Sequence, residues 1–277
     1  PQMDTHYYGG IKKYQWVARP MALNGVICKK DGTTVDIVVG EDEKDPVVGI
    51  GDLLIHLAAE QMKKPASTVV TGEQLDVLVG SIPLTKEEKD SVKANVLHIL
   101  KEKYGVEEDD FISAEIEVVP AGNARSYGLD SSMILGYGHD DRVCAYTSMR
   151  AIMEMDKPER TSCCILVDKE EIGSVGATGM QSRFFENTIA KMLSMNGVES
   201  LVKLNETFEA SKMLSSDVSS AVDPNFADVD DPKNAAYFGK GIVFNKYTGA
   251  RGKSGSNDAN PEFIAEIRAA MAKDNIQ

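Results

Sequence analysis

Three short acidic segments hold the residues of this sequence best suited to chemistry. They are Gly138-His139-Asp140-Asp141, Asp168-Lys169-Glu170-Glu171 and Ser215-Ser216-Asp217-Val218-Ser219. The first follows the apolar run Met133–Leu135, the second follows Cys163–Val167, and the third lies among small residues that permit close approach. Clustered carboxylates cannot all stay ionised without a counter-charge, so such a cluster calls for cations. Carboxylate with imidazole suits zinc, manganese or cobalt, and two such ions about 3.5–4 Å apart make a hydrolytic site. Adjacent glutamates can divide the labour there. One holds a metal, while its neighbour takes a proton from water and later gives it to a leaving amine. Taken singly, Glu170-Glu171 is an ordinary solvated pair and Asp140-Asp141 an ordinary helix cap. Their shared place after apolar runs, with glycines nearby, sets the catalytic reading beside the bland one.

Such loops need a sheet whose carboxyl ends gather them. From residue 125 onward the pattern is strand, loop, helix, repeated. Met133–Leu135 leads to a helix over about Arg142–Met155. Cys163–Val167 is an unbroken apolar run of the kind expected in a buried central strand. A helix over Ser182–Met195 presents Phe185, Ile189, Met192 and Leu193 on one face. A last helix begins at Pro261, a favoured first position, with Phe263, Ile264, Ile267 and Met271 as its stripe. These units predict an α/β mixed sheet with helices on both faces.

Before residue 125 short strand-like runs dominate. Leu23–Ile27 and Thr34–Val39 flank a Lys-Asp-Gly turn and predict a hairpin, and Ser113–Val119 alternates as a further strand. One helix is read from Thr85, with Glu88 completing a capping box, to Lys103, with Gly105 as its stop. A second is read over Asp52–Lys63. This part reads as an α+β module.

The totals restrict the function classes. The chain of 277 residues carries a formal net charge of −13, which repels phosphate backbones and argues against nucleic-acid partners. It has no apolar stretch long enough to span a bilayer, and residues 1–10 do not read as a secretory signal. The four cysteines show no CxxC spacing, and Cys163-Cys164 lie inside an apolar run, so a reducing, cytoplasmic compartment is expected. The first residue is Pro rather than Met, which raises the expectation of a fragment or a processed chain.

Five segments occur together in order: His6-Tyr7-Tyr8-Gly9-Gly10-Ile11, Gly138-His139-Asp140-Asp141-Arg142, Val167-Asp168-Lys169-Glu170-Glu171-Ile172-Gly173-Ser174, Ser216-Asp217 with Ala221-Val222-Asp223-Pro224-Asn225, and Gly239-Lys240-Gly241. In these the chain resembles the aminopeptidase I and aspartyl aminopeptidase family of dinuclear zinc metallopeptidases. The resemblance implies a zinc-exopeptidase-like fold, with residues 1–12 and 126–277 forming a catalytic domain around an inserted oligomerisation domain at 13–125. It implies a metalloaminopeptidase acting on peptide substrates with two zinc ions, cobalt or manganese being able to replace them. Asp141 would bridge the metals, Glu171 would hold one and Asp217 the other, and Glu170 would be the general base. Lys240 would line the substrate site. His56 would reach from the inserted domain into a neighbouring subunit's active site, within dimers that build a dodecamer. His98, His139 and His6 match no ligand position of the family. Arg251, Lys253 and the stretch 254–260 resemble a polar loop near the active site, with no individual role.

The family's metal site also uses two histidines, one before the Tyr-Gly-Gly segment and one in a C-terminal stretch, that are not found here. No histidine follows His139. The chain is therefore expected to be a fragment that carries the carboxylate half of the site and is inactive alone. Two other readings compete. A metal-dependent dipeptidase or deacylase conflicts with the Tyr-Gly-Gly and Gly-Lys-Gly segments. A catalytically dead oligomerising scaffold conflicts with the retention of both Glu170 and Glu171.

Overall fold

The computed structural model describes all residues except Tyr8, Glu87, Glu88, 251–253 and Gln277, and for 247–258 the backbone alone. The chain divides into two compact units. The first comprises Pro1–Tyr137 with Val167–Gln181, and the second Gly138–Leu166 with Ser182–Gln277.

The first unit is organised by an antiparallel sheet. Its strands are β1 (Gln2–Met3), β2 (Pro20–Cys28), β3 (Thr34–Val39), β4 (Val48–Gly49), β5 (Val77–Leu78) and, after helix α1 (Ser91–Tyr104), β6 (Ala114–Pro120). β2 is the centre. It pairs with β3 from Leu23–Val39 to Cys28–Thr34, and with β6 from Met21–Pro120 to Ile27–Ala114. The Asp31-Gly32 turn predicted from sequence closes the β2–β3 hairpin, with Asp31 Oδ1 accepting from the Thr33 amide at 2.9 Å and its hydroxyl at 2.6 Å. Gly25 is required where β2 meets β6, because a Cβ there would lie 2.0 Å from the Glu115 carbonyl oxygen. One core cluster joins Leu23, Ile27, Ile37 and Val106, and a second joins Ile50, Val70, Leu75 and Val77. Burying each Ile of the first cluster contributes about 1.5–3 kcal/mol. A short antiparallel pair, β7 (Arg125–Tyr127) with β8 (Met133–Leu135), completes the unit.

Two helices read from sequence differ here. α1 starts at Ser91 rather than after Thr85. Its buried Ser91 hydroxyl donates to the Thr85 carbonyl and accepts from the Thr85 amide, both at 2.7 Å, and the Leu84 amide donates to the Ser91 carbonyl at 2.9 Å, so Leu84 and Thr85 are bound back onto the start of the helix rather than lying in its first turn. Glu88, the other half of the expected capping box, lies outside the described residues. The stop at Gly105, in left-handed backbone at φ 65, is as predicted. The helix expected over Asp52–Lys63 is instead two 3₁₀ turns, Ile55–Leu57 and Gln61–Lys63. Asp52 Oδ1 accepts from the Leu53 amide and from the Gln61 side chain, local bonds that compete with an α-helical ladder.

The second unit contains α2 (His139–Met153), α3 (Phe184–Met195), α4 (Leu201–Glu209), the antiparallel pair β9 (Tyr247–Ala250) with β10 (Ser254–Asp258), and α5 (Pro261–Lys273). α5 opens with Asn260 accepting from the Phe263 amide at 3.0 Å, ahead of Pro261 as predicted. α4, absent from the sequence reading, is capped by Ser200 and packs Phe208 on Phe185 of α3 at 5.8 Å. The stretch read as a polar loop contains β10, while Arg251 and Lys253 lie outside the described residues. The expected buried strand at Cys163–Val167 is not formed. Among the described residues it has no ladder partner, Cys163 is exposed, and Leu166 and Val167 are 61% and 46% exposed. Apolar character supplies the motive for a central strand, but only a paired neighbour makes one. Leu204 alone is buried among this unit's described hydrophobic residues.

Candidate active site

The acidic turn at Glu170 and Glu171 is the best-built part of the predicted site. It is a 3₁₀ turn over Glu170–Ile172, entered through Lys169 at φ 65 and left through Gly173 at φ 94. The Lys169 carbonyl accepts from Ser174 N at 2.8 Å and from Ile172 N at 3.3 Å, and Gly173 N reaches the Glu170 carbonyl at 2.9 Å. The loop then folds back. Asp168 N donates to the Thr178 carbonyl at 3.1 Å, Gln181 N to the Ser174 carbonyl at 3.1 Å, and the Gln181 side chain to the Gly173 carbonyl at 2.6 Å. Gly173, Gly176 and Gly179 make this winding possible. Gly179 is the most constrained, since a Cβ there would lie 2.1 Å from the Ser174 carbonyl oxygen.

Both glutamates are exposed at the head of this turn. Burial works against the charged form of Asp168, but the Lys169 amide, the Lys169 ammonium and the Thr178 hydroxyl outweigh it and hold the carboxyl below its ordinary range. The N-terminal segment meets the turn in the same unit. A Cβ on Gly9, whose φ is 72, would lie 3.3 Å from Glu171 Cβ and 4.0 Å from Glu171 Oε2. Thr5 secures that segment by donating to Asp76 Oδ1 and to the Leu75 carbonyl, and the Tyr7 ring covers Gly72. Two segments far apart in sequence, the Tyr-Gly-Gly run and the Glu-Glu run, are thus neighbours. Tyr8 lies outside the described residues.

In the second unit Asp141 sits at the start of α2, after Gly138 at φ 73 and a cis Asp140–Asp141 peptide, and is exposed. Its φ of −118 and ψ of 32 are not helical, so the regular helix begins at Arg142, where the sequence places it. Asp217 is exposed in a segment that is neither helix nor strand, with Oδ1 accepting from Val218 N at 2.7 Å. Lys240 is exposed between Gly239 at φ 70 and Gly241 at φ 105. His56, in the first unit, is exposed in the Ile55–Leu57 turn beside the exposed Leu54, Ile55 and Leu57.

Among the described residues no three His, Cys, Asp or Glu side chains gather so as to hold a metal ion. The predicted ligands here are Asp141, Glu171 and Asp217, all carboxylates with no imidazole among them. They do not by themselves make a zinc site. The sequence reading missed Lys169, Thr178, Gln181 and Gly9 as the parts that hold the acidic turn. The Gly-x-x-Gly-x-x-Gly spacing was their only visible sign.

The family described as Aminopeptidase I zinc metalloprotease (M18) matches residues 1–277. A probable M18 family aminopeptidase 1 of Clostridium acetobutylicum is 60% identical over 275 residues, covering 99% of this chain and 59% of that protein. The crystal structure of an M18 family aminopeptidase from Thermotoga maritima superposes with a TM-score of 0.93 at 47% identity, covering 99% of this chain and 60% of that one. The crystal structure of aminopeptidase I from Clostridium acetobutylicum gives 0.89 at 58% identity, covering 99% and 59%. The mixed α/β, zinc-exopeptidase-like fold is that of these structures. The chain spans only about three-fifths of the length of the curated relatives it matches.

Proposed function

The chain belongs to the aminopeptidase I zinc metalloprotease (M18) family, and from that premise we propose that the protein carrying it is a metalloaminopeptidase that releases N-terminal residues from peptides. Glu170 is the general base. It takes a proton from the attacking water and delivers it to the amine that leaves as the C–N bond breaks. Asp141, Glu171 and Asp217 would be carboxylate ligands of two zinc ions, which would supply the positive charge that polarises the scissile carbonyl and the attacking water, and Lys240 would line the substrate site. The observation that carries this reading is the acidic turn itself, wound tightly by its own hydrogen bonds and met at Glu171 by the Tyr-Gly-Gly segment.

Residues 13–125 serve as the oligomerisation domain, with 1–12 and 126–277 catalytic. The exposed Leu53, Leu54, Ile55, Leu57 and Met62 support that role, and His56 among them is the residue offered to a neighbouring subunit of a dimer-built dodecamer. Four free cysteines support a reducing, cytoplasmic setting. Among the described residues no helix is long and apolar enough to cross a membrane. The deciding test is Glu170→Gln in the complete protein. Bound zinc measured by mass spectrometry should persist while turnover of aminoacyl substrates falls ~10²-fold or more. Unchanged turnover refutes the base, and loss of zinc reassigns Glu170 as a ligand.

A further inference from the structure

The head of the acidic turn is held by a residue that the proposed chemistry does not use. Lys169 lies in left-handed backbone at φ 65, which side chains other than glycine adopt at a cost. Its ammonium lies 3.0 Å from Glu115 Oε1, 54 residues earlier on β6, and 3.5 Å from Asp168 Oδ2. Its side chain is only 21% exposed, against 72% for Glu115. Glu115 in turn sits opposite Val26 in the β2–β6 register, one residue from the fully buried Ile27. The backbone of Lys169 fixes the near end of the turn, through Ser174 N and Ile172 N, and its side chain reaches the sheet.

We propose that Lys169 is a positioning residue, which through Glu115 references the Glu170–Glu171 turn to the central sheet. The proposal rests on the reading of Glu170 as the base. An ion pair on an open surface contributes little to stability. Here most of the lysine side chain is withdrawn from water, so the pair is better placed than an open-surface one, and removing Glu115 takes away the partner that links it to the sheet. Displacing a base by an ångström is enough to slow a reaction by an order of magnitude or more without weakening substrate binding.

The left-handed backbone lets the two roles be separated. Glycine adopts φ 65 more readily than lysine, so Lys169→Gly favours the turn's backbone while deleting the tether. In the complete protein, Lys169→Gly and Glu115→Gln should each lower kcat about tenfold and leave KM within about twofold. Both should speed amide exchange at Ile172, Gly173 and Ser174. The double variant should be no slower than either single one, and Lys169→Arg should recover most of kcat. Unchanged exchange in either single variant overturns the tether, and so do losses in kcat that multiply in the double variant. Faster exchange with unchanged kcat overturns the positioning role. The exchange readout needs no activity, so failure of the tether is separable from failure of Glu170 as base, which Glu170→Gln decides alone.

Discussion

Gly179→Ala is expected to unlatch the loop that carries Glu170 and Glu171, and the structure sets the size of the effect. The added methyl would lie 2.1 Å from the Ser174 carbonyl oxygen, 2.4 Å from its carbon and 2.6 Å from the Val175 oxygen. All three are backbone atoms, so no side chain can turn aside to make room. The loop must open, and opening releases the bonds from Asp168 N to the Thr178 carbonyl and from Gln181 N to the Ser174 carbonyl. At about 0.5–1.5 kcal/mol for each bond, with distortion added, the local cost is about 2–4 kcal/mol. Since each 1.36 kcal/mol is a factor of ten, amide exchange at Asp168 and Gln181 should rise roughly 30- to 900-fold. Two other glycines calibrate the measurement. Gly176→Ala meets nothing within 4 Å but stands at φ 84, which costs about 1–2 kcal/mol and corresponds to roughly 5- to 30-fold. Gly10→Ala meets nothing within 4 Å and has no positive φ, so exchange should not change. Hydrogen–deuterium exchange read by mass spectrometry ranks the three. An exchange rate in Gly179→Ala no greater than in Gly176→Ala would refute the argument from backbone contact.

Other substitutions test other parts of the chain. Gly9→Ala places a methyl 3.3 Å from Glu171 Cβ at φ 72, so turnover of the complete protein should drop with little change in global Tm; an unchanged kcat removes the segment from the site. Ile27→Ala empties a fully buried position and should cost about 2–5 kcal/mol in urea unfolding, whereas Leu54→Ala, at a side chain 63% exposed, should shift stability by about 0.5 kcal/mol or less. Equal effects at the two positions would contradict the assigned core. Asp31 is held below its ordinary 3.8 by the Thr33 hydroxyl and then the Thr33 amide. Its contribution to the hairpin is complete above the unfolded value near 4 and is lost as pH falls through the lower folded value. The Asp31 side-chain carboxyl resonance followed by NMR should therefore titrate below 3.8, and a midpoint at or above it removes the capping bonds.

What could be read from sequence was whatever local chemistry decides. The β2–β3 hairpin follows from alternation around a turn whose Asp31 bonds Thr33 two residues on, α1 ends where Gly105 turns left-handed, and α5 begins at Pro261. The parts that failed depended on partners that no local pattern names. Cys163–Val167 has the composition of a central strand but no strand beside it among the described residues. Asp52–Lys63 has helical spacing, yet Asp52 spends its carboxylate on the Leu53 amide and the Gln61 side chain. Thr85 was read as a cap, but the bonds to Ser91 turn it into the anchor of a fold-back. In the candidate site the carboxylates were legible because they are unusual in type and spacing. The residues that hold them were not. Lys169 looks like any surface lysine until its ammonium is found on a strand 54 residues away, and nothing in the Tyr-Gly-Gly segment signals that Gly9 lies beside Glu171.

The ion pair between Lys169 and Glu115 also has a consequence in time. The sheet that receives the acidic turn is complete by residue 120, whereas the turn lies between residues 168 and 181. As a chain emerges from the ribosome it can therefore build β2, β3 and β6 and bury Ile27 and Ile37 before Glu170 has been synthesised. The framework waits for the reactive group. The carboxylates become fixed only when a long loop closes onto a surface already formed, a closure whose entropic cost grows slowly with length and falls on the turn rather than the sheet. Nascent chains cut short before this point would be folded in their first sheet and chemically silent.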